Sequence, residues 1–485
     1  MDTDDVRASD LVAALGRWSA GRGPLYVLLA ARLRRLVDEG RLRPGAALPP
    51  ERALAAALAV GRTTVVAAYG VLRQEGRVVR RQGSGTRVAE AALVPGRAAE
   101  TANPLFLNLL EPADGVILLS CAAPDGPPPE LVRAYRDLAL PATGLGYHPA
   151  GLPALRAAVA ARYAARGIPT DPAQILVTTG GQQALALLTR LFVAPGDPVL
   201  VEAPAYPGAL DLFREAGAVL RPVPVGPHGI DVDAAVRALA EHRPALAYVG
   251  SVHQNPTAAV LPPLRGQRLA EAAGNLGVPL VDDEVVADLA FDGAAPPALA
   301  ACAAGRGEVL SVGSLSKVVW GGLRIGWVRA PAGVVTRLAR LKAVHDLGTD
   351  VPAQLVAVSL LASYAPLLAR RRAELRGAHD HLRAELARLL PAWDCPPVRG
   401  GQTVWLRLPY GDGVSFAQVA LRHGVAVLPG ACVDAAGGSG PYLRLHFCFP
   451  RDVLTEAVER LAAAWAAYDG SSRPATPAAL GGVTV

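Results

Sequence analysis

Apolar residues recur at Leu25, Leu28, Leu29, Leu33, Leu36 and Val37, the three-and-four spacing of one helix face, and the pattern stops near Gly40. Pro44-Gly45 marks a turn. Leu48-Pro49-Pro50-Glu51-Arg52 then opens a short second helix with Leu54 and Leu58 inward. Val60-Gly61 breaks it, and Arg62-Thr63-Thr64 begins a third helix that carries Val65, Tyr69 and Leu72 on its inner face. Two helices joined by a tight glycine-containing turn predict a helix-turn-helix. Val78-Val79-Arg80-Arg81 and Thr86-Arg87-Val88 flank Gln82-Gly83-Ser84-Gly85 and predict a two-stranded wing. The spacing places this module at residues 21–88. Residues 89–115, rich in Ala, Pro and Gly without a period, read as a linker.

From residue 116 to 470 the pattern changes. Ile175–Val177, Pro198–Val201, Ala245–Val249, Pro279–Val281 and Val309–Val312 are short apolar runs separated by helix-length stretches. That alternation predicts an α/β fold around a mostly parallel sheet, with a smaller C-terminal subdomain. Residues 471–485 read as a flexible tail.

Charge is unevenly placed. Residues 21–88 hold thirteen arginines against four acids, a surplus larger than the +6 of the whole chain. A basic module joined to a mildly acidic one points to a polyanion partner for the first alone. On pattern alone, a three-helix dimerisation domain with a solvated basic face stays open beside a DNA-binding winged helix. Five scattered cysteines with no C-x-x-C pair argue against a disulfide framework or a zinc site and fit a reducing cytoplasm. The acidic N-terminus does not read as a signal peptide, and no apolar run is long enough to span a bilayer.

Lysine is nearly absent: Lys317 and Lys342 stand against 46 arginines. An amine can lose its proton and add to an aldehyde, whereas a guanidinium cannot. Lys317 lies in Ser314-Leu315-Ser316-Lys317, with Arg324 seven residues on; Lys342 reads as a surface lysine. Other chemically loaded residues fall just after predicted strands, where α/β folds bind ligands. Thr179-Gly180-Gly181-Gln182 opens a helix whose amides suit a phosphate. Tyr206, Asn255 and Asp283 each follow a strand, and Arg444 sits inside the apolar strand Tyr442–Phe447, where a buried arginine needs an anion. His379-Asp380-His381, in an arginine-rich helix, reads as a solvated face and not as a metal site.

Taken as strings, these motifs carry resemblances. Leu48–Arg52, Arg62-Thr63-Thr64 and Arg81–Thr86 closely resemble the winged helix of GntR-type bacterial regulators. The resemblance implies that Arg52, Arg62, Thr63 and Thr64 contact double-stranded operator DNA, with Gly83 at the wing tip. Val66 stands where many members place a basic or polar residue. The later series resembles fold-type I pyridoxal-phosphate proteins, especially class I/II aminotransferases, over about residues 116–470. It implies pyridoxal 5'-phosphate as cofactor, joined as a Schiff base to Lys317. Asp283 would pair with its pyridine nitrogen, Asn255 with its phenolic oxygen, and Tyr206 would stack on its ring. Gly181, Gln182, Ser314, Ser316 and Arg324 would hold the phosphate, joined across a homodimer by the partner's copy of Tyr147. Arg444 would grip a carboxylate.

Two positions depart from the aminotransferase pattern: Val286 replaces a tyrosine that helps set the electronics at the phenolic oxygen, and Ala258 replaces a glycine. A GntR-type winged helix joined to an aminotransferase-like domain is the layout of MocR-type regulators. That layout implies a cytoplasmic transcription regulator that senses an amino compound, or the cofactor itself, and performs at most slow half-transamination. The alternative is a working aminotransferase with an appended DNA-binding domain.

Overall fold

The computed structural model describes residues 6–19, 24–81, 85–89, 115–124, 126–141, 144–292, 296–303 and 307–468. Gly83, most of the linker and the tail therefore lie outside the described residues. The N-terminal module begins earlier than its apolar pattern announces. Helix α1 (Ala8–Leu15) buries Leu11, Val12 and Leu15 in the same core as α2 (Leu25–Asp38), α3 (Glu51–Ala57) and α4 (Arg62–Gln74). The Arg32 guanidinium of α2 donates to the Leu15 carbonyl at 3.0 Å, tying the added helix down. Strands β1 (Val78–Arg81) and β2 (Gly85–Val88) pair antiparallel as the wing.

The left-handed residue of the turn between α3 and α4 is Ala59 (φ 50°), not the glycine that follows it. An L-residue there costs roughly 1–2 kcal/mol.

The second module is built on one eight-stranded sheet. In chain order its elements are β3 (Ile175–Thr178), the helix α5 (Gly181–Phe192), β4 (Pro198–Ala203), β5 (Val219–Gly226), β6 (Gly229–Ile230), β7 (Leu246–Val249), β8 (Leu280–Asp283), β9 (Val309–Ser314) and β10 (Gly326–Arg329). Across the sheet the order is β3-β10-β9-β8-β7-β4-β5-β6. Strands β9, β8, β7, β4 and β5 run parallel, while β10 opposes both neighbours. Every residue of β3, β7 and β9 is buried, as expected of strands covered by helices on both faces.

The chain then forms the long helix α6 (Tyr364–Leu389) and a smaller subdomain. There β11 (Thr403–Arg407), α7 (Gly413–Arg422), β12 (Leu428–Pro429), β13 (Tyr442–His446) and α8 (Arg451–Ala467) follow in order. The small sheet runs β11-β13-β12, all antiparallel. No single helix among the described residues is long and apolar enough to cross a membrane.

Helix α7 joins the two modules. Arg422 donates to the carbonyls of Leu58 and Ala59 at 3.2 and 2.9 Å, and the Ser415 hydroxyl donates to Ala57 at 3.4 Å. Trp18 donates through Nε1 to Gln418 at 3.1 Å. These α7 residues lie on one helical face; Ser415 and Arg422 bond the open carbonyl end of α3 and the turn before α4, and Gln418 accepts from Trp18, which follows α1. Hydrogen bonds from charged donors contribute about 1.5–3 kcal/mol each. An Arg422→Ala substitution should therefore loosen the turn, seen as at least about tenfold faster hydrogen exchange at the amides from Ala59 to Val65. Unchanged exchange there would show that the contact does not hold the turn.

Two expectations are corrected. Lys342 is fully buried, its ammonium paired with both oxygens of Asp346 at 2.7 Å. His379 is buried between Phe291 and Phe447 rather than solvated, and His381 bonds Thr455 at 2.8 Å.

Candidate functional site

The carboxyl ends of the parallel strands bring the predicted residues together. After β3 the chain turns at Gly180 (φ 84°) into α5, whose amino end has no side-chain cap. A Cβ at Gly180 would lie 2.7 Å from the Arg324 guanidinium, and one at Gly326 would lie 2.6 Å from the Gly180 carbonyl carbon. The absent side chains thus let Arg324 and β10 press against a turn of open amides. Arg324 itself takes a left-handed conformation (φ 55°) and donates to the Thr179 carbonyl at 2.6 Å. Ser314 donates to Ser316 (2.9 Å) and accepts from the Ser316 amide at 3.1 Å, so both hydroxyls are fixed beside the end of β9.

Gln182 departs in part from its expected use. Its side chain accepts from the Tyr206 hydroxyl and donates to the Gly208 carbonyl, both at 3.0 Å. Its backbone amide at the helix start is the group left to meet a phosphate. The same bond fixes the Tyr206 ring.

Lys317 donates through Nζ to the Ala122 carbonyl. Burial holds its amine below the usual lysine range, helped by the neighbouring Arg444 charge. Asp283 accepts from the Tyr248 hydroxyl at 2.6 Å and from the Val285 amide at 3.1 Å. Burial pushes its carboxyl up from the ordinary range, against both of those bonds and the Lys317 charge. Arg444, 1% exposed, donates to Asn255 Oδ1 at 3.1 Å and to the Ser120 carbonyl, while its buried Nε has no partner among the described residues. Burial lowers this guanidinium to about 10. A buried, half-satisfied arginine beside an amine is a site for an anion.

Tyr147 is 64% exposed on the loop before residue 153. Val286 packs into the large core, and Ala258 takes φ 58°. The second observation explains why the family prefers glycine there.

Sequence reading missed Tyr248, because a tyrosine inside an apolar strand looks like core. It also missed Ser120 and Ala122, whose backbone carbonyls leave no trace in residue type. Behind Asp283 lies Glu202, whose carboxyl burial lifts from 4.5 to about 8. Its Oε1 has no partner, which a neutral carboxyl group tolerates better than an anion. Its folded pKa lies above the unfolded value, so the unfolded chain releases the proton first as pH rises. Stability contributed by this group therefore falls from about pH 5 and levels off above about pH 8, by on the order of a few kcal/mol. Asp282, lifted to about 7 by burial and then by Glu284, acts in the same direction. Glu202→Gln should flatten the decline of the thermal midpoint across that window; an unaltered slope would remove Glu202 from the cause.

In the N-terminal module, Arg52, Arg62 and Thr63 are exposed and Thr64 is half-buried. Arg62 is the first residue of α4, and Tyr69 ties that helix to the Pro49 carbonyl at 3.0 Å. Arg34 and Glu75 pair side by side, linking α2 to the far end of α4.

The chain matches the family of bacterial regulatory proteins, gntR family, over residues 25–88, and aminotransferase class I and II over residues 114–461. The HTH-type transcriptional regulator TauR of Rhodobacter capsulatus is 31% identical over 452 residues, covering 83% of this chain and 89% of TauR. The uncharacterized HTH-type transcriptional regulator YisV of Bacillus subtilis is 28% identical over 468 residues, covering 90% and 95%. Among solved structures, LysN, an α-aminoadipate aminotransferase of Thermus thermophilus complexed with N-(5'-phosphopyridoxyl)-L-leucine, superposes with a TM-score of 0.67. It is 32% identical and covers 72% of this chain and 92% of LysN.

Proposed function

The chain belongs to the aminotransferase class I and II family and carries a gntR-family domain ahead of it, and from that premise we propose how it works. It is a MocR-type, pyridoxal-phosphate-dependent DNA-binding transcription regulator. It acts in the cytoplasm as a homodimer on a double-stranded operator and senses an amino compound or the cofactor itself. Pyridoxal 5'-phosphate supplies an aldehyde that condenses with amines and a ring that withdraws electrons.

The residues present fit that group. Lys317 holds the aldehyde carbon, Asp283 the pyridine nitrogen, Asn255 the phenolic oxygen and Tyr206 the ring face. The open amides of Gly181 and Gln182, with Ser314, Ser316 and Arg324, hold the phosphate, and Tyr147 joins them from the partner subunit. Arg444 takes the effector carboxylate. Arg52, Arg62, Thr63, Thr64 and the wing around Gly83 meet DNA. The proposed divisions are 21–88, extended back to α1 by the shared core, then 89–115, 116–470 and 471–485.

The observation that carries the reading is the path from Arg444 to the DNA-binding turn. Arg444 pairs in register with Leu428 of β12, α7 packs over β12, and α7 clamps Leu58 and Ala59. A carboxylate that draws the Arg444 guanidinium off Asn255 and the Ser120 carbonyl changes contacts on β13, whose neighbour β12 lies beneath α7. A ligand shifts an equilibrium only through such differences between bound and free states.

The test is a titration of free amino acids, and separately of pyridoxal 5'-phosphate, into loaded protein on the DNA upstream of its own gene. Operator affinity should change with one of these compounds, and Arg444→Ala should lose the response to carboxylates while keeping the cofactor. Sustained turnover with a keto acid, on the order of 1–10³ per second, together with no response on DNA, would favour the aminotransferase instead.

A further inference from the structure

Tyr248 lies in β7 opposite Val281 of β8, and Asp283 is two residues further along β8. Residues two apart share a sheet face, and a long side chain reaches its diagonal neighbour across strands. The Tyr248 hydroxyl does so, ending 2.6 Å from Asp283 Oδ2, within the range of a charge-assisted O–H···O⁻ bond. The other carboxylate oxygen accepts from the Val285 amide. The tyrosine ring is 2% exposed and edge-on to Phe213, with centroids 5.9 Å apart, so packing fixes the phenol in place.

We propose that Tyr248 is a positioning residue for the pyridine partner: its hydroxyl fixes the Asp283 carboxylate and keeps it an anion, so that the shared proton rests on the cofactor ring. This rests on the reading of the site as a pyridoxal-phosphate site. Three further groups face Asp283. Lys317 favours its anion, Glu202 is neutral near pH 7, and Tyr206 gives its proton to Gln182. Burial and the Asp283 charge push Tyr248 itself well above the ordinary tyrosine range, so it acts as a donor. Without it the buried carboxylate keeps one amide donor. Its proton affinity should then rise about ten- to a hundred-fold, the equivalent of one hydrogen bond to an ionised group. The proton would move from ring nitrogen towards Asp283.

The experiment loads the full chain and its Tyr248→Phe variant with ring-¹⁵N pyridoxal 5'-phosphate and records the ¹⁵N chemical shift. Phenylalanine keeps the packing against Phe213, and borohydride fixation to Lys317 reports whether each protein is loaded. The wild type should show a pyridinium nitrogen. Tyr248→Phe should move towards the neutral-pyridine shift, with Asp283→Asn marking full loss of the pairing. A role confined to structure would weaken cofactor affinity without moving the proton. A loaded Tyr248→Phe protein with an unchanged pyridinium shift overturns this inference alone. A wild type that fixes no cofactor to Lys317 overturns the site reading and this inference together.

Discussion

A Lys317→Ala chain should fix no cofactor on borohydride reduction, lose every effector-dependent change in DNA binding, and still hold its operator as tightly as the cofactor-free wild type does. The loss is complete because no other amine can take over: Lys342, the second lysine, is buried and paired with both oxygens of Asp346. The fold should tolerate the change. Among the described residues the Lys317 side chain makes a single hydrogen bond, to the Ala122 carbonyl, and burial already disfavours its charged form. Removing a buried amine takes away a group that costs desolvation energy, which offsets the lost contact. Operator affinity should persist because the residues proposed to meet DNA belong to a module with its own core. Mass spectrometry after reduction and binding assays on the same preparations read all three outcomes. Label found on Lys342, or operator binding weaker than that of the cofactor-free wild type, would sink the assignment.

Much of this was legible in the sequence, for reasons that differ from site to site. Four of the five parallel strands could be found because burial on both faces writes them as unbroken apolar runs between helix-length segments, whereas β5 is largely exposed and was missed. Lys317 was singled out because lysine is nearly absent from the chain, Asp283 because it follows a strand, and Arg444 because it lies inside an apolar strand, where a charge needs a partner. Tyr248 failed that test, since tyrosine is equally at home as core. Helix α1 was missed because Ala8–Leu15 is short and its apolar face is completed by α2 and α3, far along the chain. His379 was misread because an arginine-rich helix looks solvated from composition, and Lys342 because a lysine outside a motif is ordinarily a surface residue, although one face of each helix is buried. The α7 clamp could not be read at all, because its acceptors are the backbone carbonyls of Leu58 and Ala59.

Replacing Arg62 by alanine should produce the largest loss in DNA recognition. Arg62 opens α4, is exposed, and stands at an amino end that no side chain caps, so its guanidinium is free to approach DNA together with that end of the helix. A good bidentate contact to a base edge contributes about 1–3 kcal/mol of discrimination. In the proposed homodimer that contact is made twice on a two-fold operator, so the loss should be about 2–6 kcal/mol if the half-sites act independently. The loss should fall on the operator and leave binding to unrelated DNA nearly intact, because nonspecific affinity comes from the phosphate charge met by the remaining arginines of the module. Salt separates the two roles. A base-reading arginine leaves the slope of log affinity against log salt almost unchanged, whereas a phosphate contact lowers it by about 1 per site. Fluorescence anisotropy on operator and scrambled duplexes, at several salt concentrations, measures both quantities. Equal weakening on both duplexes would reassign Arg62 to the backbone, and an operator affinity that does not change would remove α4 as the recognition helix.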